Sequence, residues 1–324
     1  MQTKPQTKPT TNPSGLWVPL ITPFKDGAVD YASYERLIDH YLAFGIDGLF
    51  PLGTTGESPT LDDSEIDQIV ERTIARAGNV PVLVGVGGNA TRKVTKELKR
   101  LERHRFAGIV SVCPYYNRPS QDGLIAHFRT IAAETDRDVL IYNIPYRTAV
   151  NLSNDSLLEL AELPNIVGAK DSSGSIAQSL DLLQRKPADF SVLTGEDALH
   201  FTMMANGAEG GILAASHLMT QGFVDVTRAF QRHDLAAARA AWAPLAAFVP
   251  LLFAEANPMP IKYCLWRQGL IASPECRLPL TKISDGLARQ LDTAIAPSAD
   301  RGSRSAEPLP AWAAQAAAGW PAPS

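Results

Sequence analysis

Cysteine is scarce: Cys113, Cys264 and Cys276 are the only three in 324 residues. Three thiols so widely scattered cannot build a disulfide framework and lack the spacing of a metal site, which points to a reducing compartment. A surplus of one charge is also missing, since 30 basic against 34 acidic residues leave a formal net charge of −4. The longest basic cluster is the short stretch from Lys96 to Arg105, so no electrostatic case exists for a nucleic-acid partner. The histidines at 40, 104, 127, 200, 217 and 233 form no H-x-H or H-x-x-x-H pair, and no metal centre is expected. No run approaches the roughly 18 apolar residues of a membrane span. Residues Met1 to Ser14 are polar, rich in Thr, Pro and Lys, and lack the apolar core of a signal peptide. The expectation is a cytoplasmic protein with small, diffusible partners and neither membrane nor nucleic acid among them.

What is present is apolar material for a large core, 45% of the chain, arranged in a repeat. Eight short apolar runs begin near Leu16, Gly48, Val80, Gly108, Val139, Asn165, Phe190 and Gly210. Each is rich in Val, Ile and Leu without clean polar alternation, as parallel strands covered on both faces require. Helix-like segments separate them. Asp30 can cap a helix whose Tyr34, Leu37, Ile38, Tyr41 and Leu42 share one face before Gly45 ends it. Asp62 with Glu65 reads as a capping box, followed by Ile66, Ile69, Val70 and Ile74 and stopped by Gly78. Eight such units over residues 15–232 have the size of a (β/α)8 barrel, an α/β fold; a doubly wound sheet shares the alternation but more often has five to seven strands. Residues 233–296 read as helices packed on the barrel: one through Phe253, a second from Pro260, a third from Thr281. Residues 1–14 and the Pro/Ala-rich 297–324 read as tails.

In a barrel, chemistry sits at the C-terminal ends of the strands. Lys170 closes the run Ile166 to Ala169, where loss of solvent would lower its pKa toward that of a Schiff-base lysine. Tyr142 sits in the neighbouring strand and can shuttle protons, and Thr54 and Tyr116 supply further hydroxyls for a relay. Gly53 and Gly56 let the backbone turn tightly and present N–H groups to a small carboxylate. Gly85 to Ala90 formally match the dinucleotide pattern, yet they follow the third strand and the next strand carries no acid, so that reading is set aside.

Five ordered motifs carry a family likeness: GTTGES at 53–58, PYYNRPSQ at 114–121, YNIPYRT at 142–148, GAKDSSG at 168–174 and EANPMPIK at 255–262. From Leu16 to Leu291 the chain closely resembles the dihydrodipicolinate synthase / N-acetylneuraminate lyase family. The resemblance implies a barrel with a helical C-terminal region, a homotetramer built from tight dimers, and class I aldolase chemistry with no cofactor beyond a covalent imine of pyruvate on Lys170. By the same resemblance Tyr142 is the general acid/base, and Thr54 links it to Tyr116 entering from the neighbouring subunit. Thr55 and Gly53 would bind the pyruvate carboxylate, with Gly195 and Ile212 lining the pocket.

The segment after Tyr142 is similar to that of the synthases, in which an arginine, here Arg147, binds the carboxylate of L-aspartate-4-semialdehyde; a guanidinium fork suits a carboxylate. The resemblance therefore implies condensation of pyruvate with that aldehyde, in lysine and diaminopimelate biosynthesis. A sugar acid or another aldehyde as substrate of a related aldolase, lyase or dehydratase stays open, as does a barrel that binds a keto acid without turnover. Two departures bear on this: Ala149 stands where the synthases commonly have Gly, and Ala214-Ala215-Ser216-His217 replaces their usual stretch after strand eight. Asp63, Ile66 and Lys93 occupy the positions that match the inhibitory lysine site of some members, and a lysine ammonium would meet Lys93, so feedback is expected to be weak or absent.

Overall fold

The structure, a computed structural model, describes residues 12–295. Most of the expected N-terminal tail and the entire stretch 297–324, with Trp312 and Trp320, lie outside the described residues.

Eight parallel strands run β1 Gly15–Val18, β2 Gly48–Leu49, β3 Leu83–Gly85, β4 Gly108–Val112, β5 Asp138–Asn143, β6 Ile166–Asp171, β7 Ser191–Thr194 and β8 Gly210–Ile212. They pair in sequence order, with β1 joining β8 to β2. A bridge between Leu49 and Val82 closes the ring into the expected barrel. One side chain or more from every strand or its end fills the interior: Trp17, Phe50, Leu83, Val110, Leu140, Tyr142, Val167, Leu193 and Ile212. The third strand starts three residues later than its apolar run, because Pro81 has no N–H for the ladder; its carbonyl still accepts from Leu49 N at 3.1 Å.

Outside the ring lie α1 Tyr31–Ala43, α2 Asp63–Ala77, α3 Thr91–Leu101, α4 Gln121–Ala133, α5 Asn154–Leu160, α6 Ile176–Arg185, α7 His200–Ala205 and α8 Thr220–Gln231. Both sequence-readable caps form. Asp30 accepts from Ser33 N at 3.0 Å, and at α2 Asp62 accepts from Glu65 N at 2.9 Å while Glu65 returns the bond to Asp62 N at 3.1 Å.

Three C-terminal helices follow: α9 Leu235–Leu252, α10 Met259–Arg267 and α11 Asp285–Ile295. The last begins four residues after the expected Thr281, since the Glu255 carboxylate accepts from Ser284 N at 3.1 Å and the Ser284 hydroxyl in turn caps Leu287 N at 3.2 Å. Against the sequence expectation, α9 is by length and composition apolar enough to span a bilayer. Here its Ala238, Leu245, Phe248, Val249 and Leu252 are buried, and Trp242 stacks on Phe201 at 6.3 Å, packing the helix along α8 and the barrel.

Candidate active site

The site begins with an irregularity in β6. Register runs Val139 opposite Ile166 and then Leu140 opposite Gly168, so Val167 is an extra residue in the ladder. Val167 points into the barrel, and plain alternation would turn Ala169 inward and Lys170 outward. The bulge reverses this: Ala169 joins the outer core, and Lys170 Nζ lies over the inward-facing rings of Tyr142, 4.2 Å from its centroid, and Phe50, at 5.1 Å. Gly168 is needed there, since a Cβ would fall 2.3 Å from Ser191 O.

Lys170 is buried, and desolvation brings its ammonium down to about 8, opposed by Asp197 and Glu196 and assisted by Arg147. Tyr142 lies directly opposite in the ladder, and its phenol is pushed well above the usual value, chiefly by burial. Asp197 is buried as well. Its carboxyl rises to about 7 through desolvation, although it accepts a 2.6 Å hydrogen bond from Ala215 N.

A cavity of about 690 Å³ is lined by Gly53, Thr54, Tyr142 and Arg147 among others; Lys170 is not in its lining but lies over the Phe50 and Tyr142 rings, which are. Thr54 to Gly56 form a 3-10 turn after β2. Gly53 is held tightly against the barrel floor, where a Cβ would fall 2.7 Å from the Phe50 ring. Thr55 is buried and its hydroxyl accepts from Asn257 Nδ2 at 2.9 Å, which leaves the hydroxyl proton to donate. Gly195 packs on the lysine, with a Cβ there falling 2.7 Å from Lys170 Cε, and Ile212 belongs to the same interior layer as Tyr142. Arg147 stands on the short helix Pro145–Thr148, near the Tyr146 ring at 5.8 Å, and forms no salt bridge among the described residues.

Tyr116 is not brought to this cavity. It stands 88% exposed on the rim with φ at 75°, a left-handed conformation that costs a non-glycine residue about 1 kcal/mol or more. Ile66 and Lys93 line the outer part of the cavity, with Gly85 to Ala90 beside them, while Asp63 is exposed in the first turn of α2. The glycines of that stretch serve packing: a Cβ on Gly85 would fall 2.2 Å from Leu52 O.

Several residues escaped sequence reasoning. Glu57 follows the GTTG turn at φ 51° and pairs with Lys262 of α10 in full burial. Lys262 Nζ also donates to Glu275 O at 2.9 Å, and Glu57 Oε2 accepts from Arg277 N at 3.0 Å. This knot and the Asn257–Thr55 bond lock the C-terminal region onto the turn that carries Thr54 and Thr55. Both residues sit inside motifs quoted above, but nothing local signals a pairing across 205 positions. The divergent stretch after β8 is buried bracing: His217 Nε2 accepts from Ile21 N at 3.1 Å, and its Nδ1–H donates to Ala214 O at 3.0 Å. Burial takes this imidazole down to about 3, so it stays neutral.

Comparison with known proteins agrees with this geometry. The model of the dihydrodipicolinate synthetase family matches residues 12–297. The 4-hydroxy-tetrahydrodipicolinate synthase 2 of Clostridium acetobutylicum is 50% identical over 279 residues, 86% of this chain and 98% of the relative. The crystal structure of dihydrodipicolinate synthase from Aquifex aeolicus superposes with a TM-score of 0.83 at 39% identity, covering 86% of this chain and 95% of that one. A monomeric dihydrodipicolinate synthase variant superposes with a TM-score of 0.84 at 35% identity, covering 86% and 94%. The chain belongs to the dihydrodipicolinate synthetase family.

Proposed function

We propose that the protein condenses pyruvate with L-aspartate-4-semialdehyde to give 4-hydroxy-tetrahydrodipicolinate, a step of lysine and diaminopimelate biosynthesis. The observation that carries this is Lys170, turned into the barrel by a bulge, stripped of solvent and laid on the ring of Tyr142. The neutral amine adds to C2 of pyruvate, water leaves, and the iminium loses a C3 proton to become an enamine. Its C3 then attacks the aldehyde carbon, the new alkoxide is protonated, and the acceptor's own amine, having given up its proton, adds to C2 and expels Lys170 as the free amine to close the ring. Tyr142 serves both proton transfers, relayed through Thr54 to Tyr116 of a second protomer. Thr55 and Gly53 hold the pyruvate carboxylate beside Gly195 and Ile212, and Arg147 binds the carboxylate of the aldehyde. The electron sink is the imine itself, so no external cofactor takes part.

The exposed, strained Tyr116 supports assembly into tight dimers, and pairs of these into a tetramer, because one protomer leaves the relay incomplete. The test is pyruvate consumption by purified protein with L-aspartate-4-semialdehyde, N-acetylmannosamine, glyceraldehyde or no acceptor. Rapid turnover with the semialdehyde alone, abolished in Lys170→Ala, is expected. Turnover with a sugar acceptor instead would overturn the assignment.

A further inference from the structure

Arg147 is not the only charge near Lys170 that lacks a salt bridge among the described residues. Glu196 follows β7 directly after Gly195, which packs so closely that a Cβ would fall 2.7 Å from Lys170 Cε and 2.3 Å from Ser172 Oγ. The Glu196 backbone is fixed by a 3.1 Å bond from its N–H to Thr194 Oγ1. Its side-chain Oε1 is buried without a hydrogen-bond partner among the described residues, and so is the hydroxyl of fully buried Ser172. The Ser172 and Tyr146 hydroxyls neighbour the carboxylate but neither completes a bond to Oε1. Tyr146 also contacts Arg147.

A buried carboxylate oxygen without a donor is costly, and a cation seated on it would remove that cost. In the free enzyme Lys170 is the nearby cation and offsets part of the charge of Glu196. Enamine formation changes the balance. When the lysine nitrogen is bonded to C2 of pyruvate and the C3 proton has left, that nitrogen is neutral. Glu196 then lacks that counter-charge at the moment the acceptor must bind.

We propose that Glu196 receives the α-ammonium of the acceptor, so that Arg147 and Glu196, both in contact with Tyr146, hold the two charges of an amino-acid head. Pyruvate binding switches this subsite on by consuming the Lys170 charge. The inference rests on the condensation proposed above and supplies its selectivity: an aldehyde acid lacking the amino group would meet Arg147 equally well but leave Glu196 unpaired.

The probe is therefore succinate semialdehyde, the same four-carbon aldehyde acid without its α-amino group, measured against L-aspartate-4-semialdehyde at saturating pyruvate. Binding of the probe is read from its inhibition of turnover. The wild-type protein is expected to favour the amino-bearing aldehyde. Glu196→Gln should shrink that preference about 10- to 100-fold, the range of a lost hydrogen bond to a charge, through a raised KM for the semialdehyde. KM for pyruvate should move less than twofold, and Glu196→Asp should recover part of the preference, which a merely structural role would not produce. Unchanged preference in Glu196→Gln, or equal loss of both aldehydes, would overturn the inference while leaving the synthase reading intact. A wild-type protein that turns over no semialdehyde would instead defeat that reading, and this inference with it.

Discussion

Lys170 shows what a single residue owes to its surroundings. Its position after an apolar run was legible in the sequence, and so was the lowering of its pKa, because desolvation follows from burial alone. With the folded value near 8 against an ordinary 10.5, the unfolded chain binds more protons between those limits. Stability from this group therefore rises with pH across that window and is lost as pH falls through it. Catalysis needs the neutral amine. Accordingly kcat/KM for pyruvate should climb tenfold per pH unit below about 8 and level off above it. A steady-state pH profile checks this, and a rise continuing toward pH 10 would contradict it. Ala149 is the opposite case: the departure from glycine was visible, but its meaning was not. The residue closes the Arg147 helix at φ 59°, where glycine is favoured on conformational grounds and no substrate contact is implied.

At the scale of elements, the eight strands were readable because each is a short, continuous apolar run. The same property hid the bulge in β6. Where every neighbour is apolar, alternation carries no signal, and only the shift from Ile166 to Gly168 in the ladder reveals which way Lys170 turns. The Glu57–Lys262 pair was hidden for another reason, since it joins the turn after β2 to α10 across most of the chain. Removing one member of such a pair strands a buried charge. Lys262→Met alone should cost about 3–5 kcal/mol in denaturant unfolding. Combining it with Glu57→Gln, which keeps an acceptor for Arg277 N and leaves no charge, should recover most of that loss. A single variant as stable as wild type would show that the pair does not hold the C-terminal region on the barrel.

For the whole molecule, barrel topology explains why residues from distant motifs meet. Parallel strands present all their C-terminal ends at one face, so Thr54, Tyr142 and Arg147 share one cavity, and Lys170 lies against its Phe50 and Tyr142 rings with Gly195 packed on the lysine. Tyr116 stays exposed on this chain with a left-handed backbone; the relay place proposed for it depends on a second protomer and was legible only through family likeness. The central claim, that this architecture exists to make Lys170 a nucleophile toward pyruvate, is tested most directly by borohydride reduction of the protein in the presence of pyruvate, followed by peptide mass spectrometry. One pyruvate-derived adduct per chain, located on Lys170 and absent from Lys170→Ala, is the predicted result. An adduct on another lysine, or none, would contradict it.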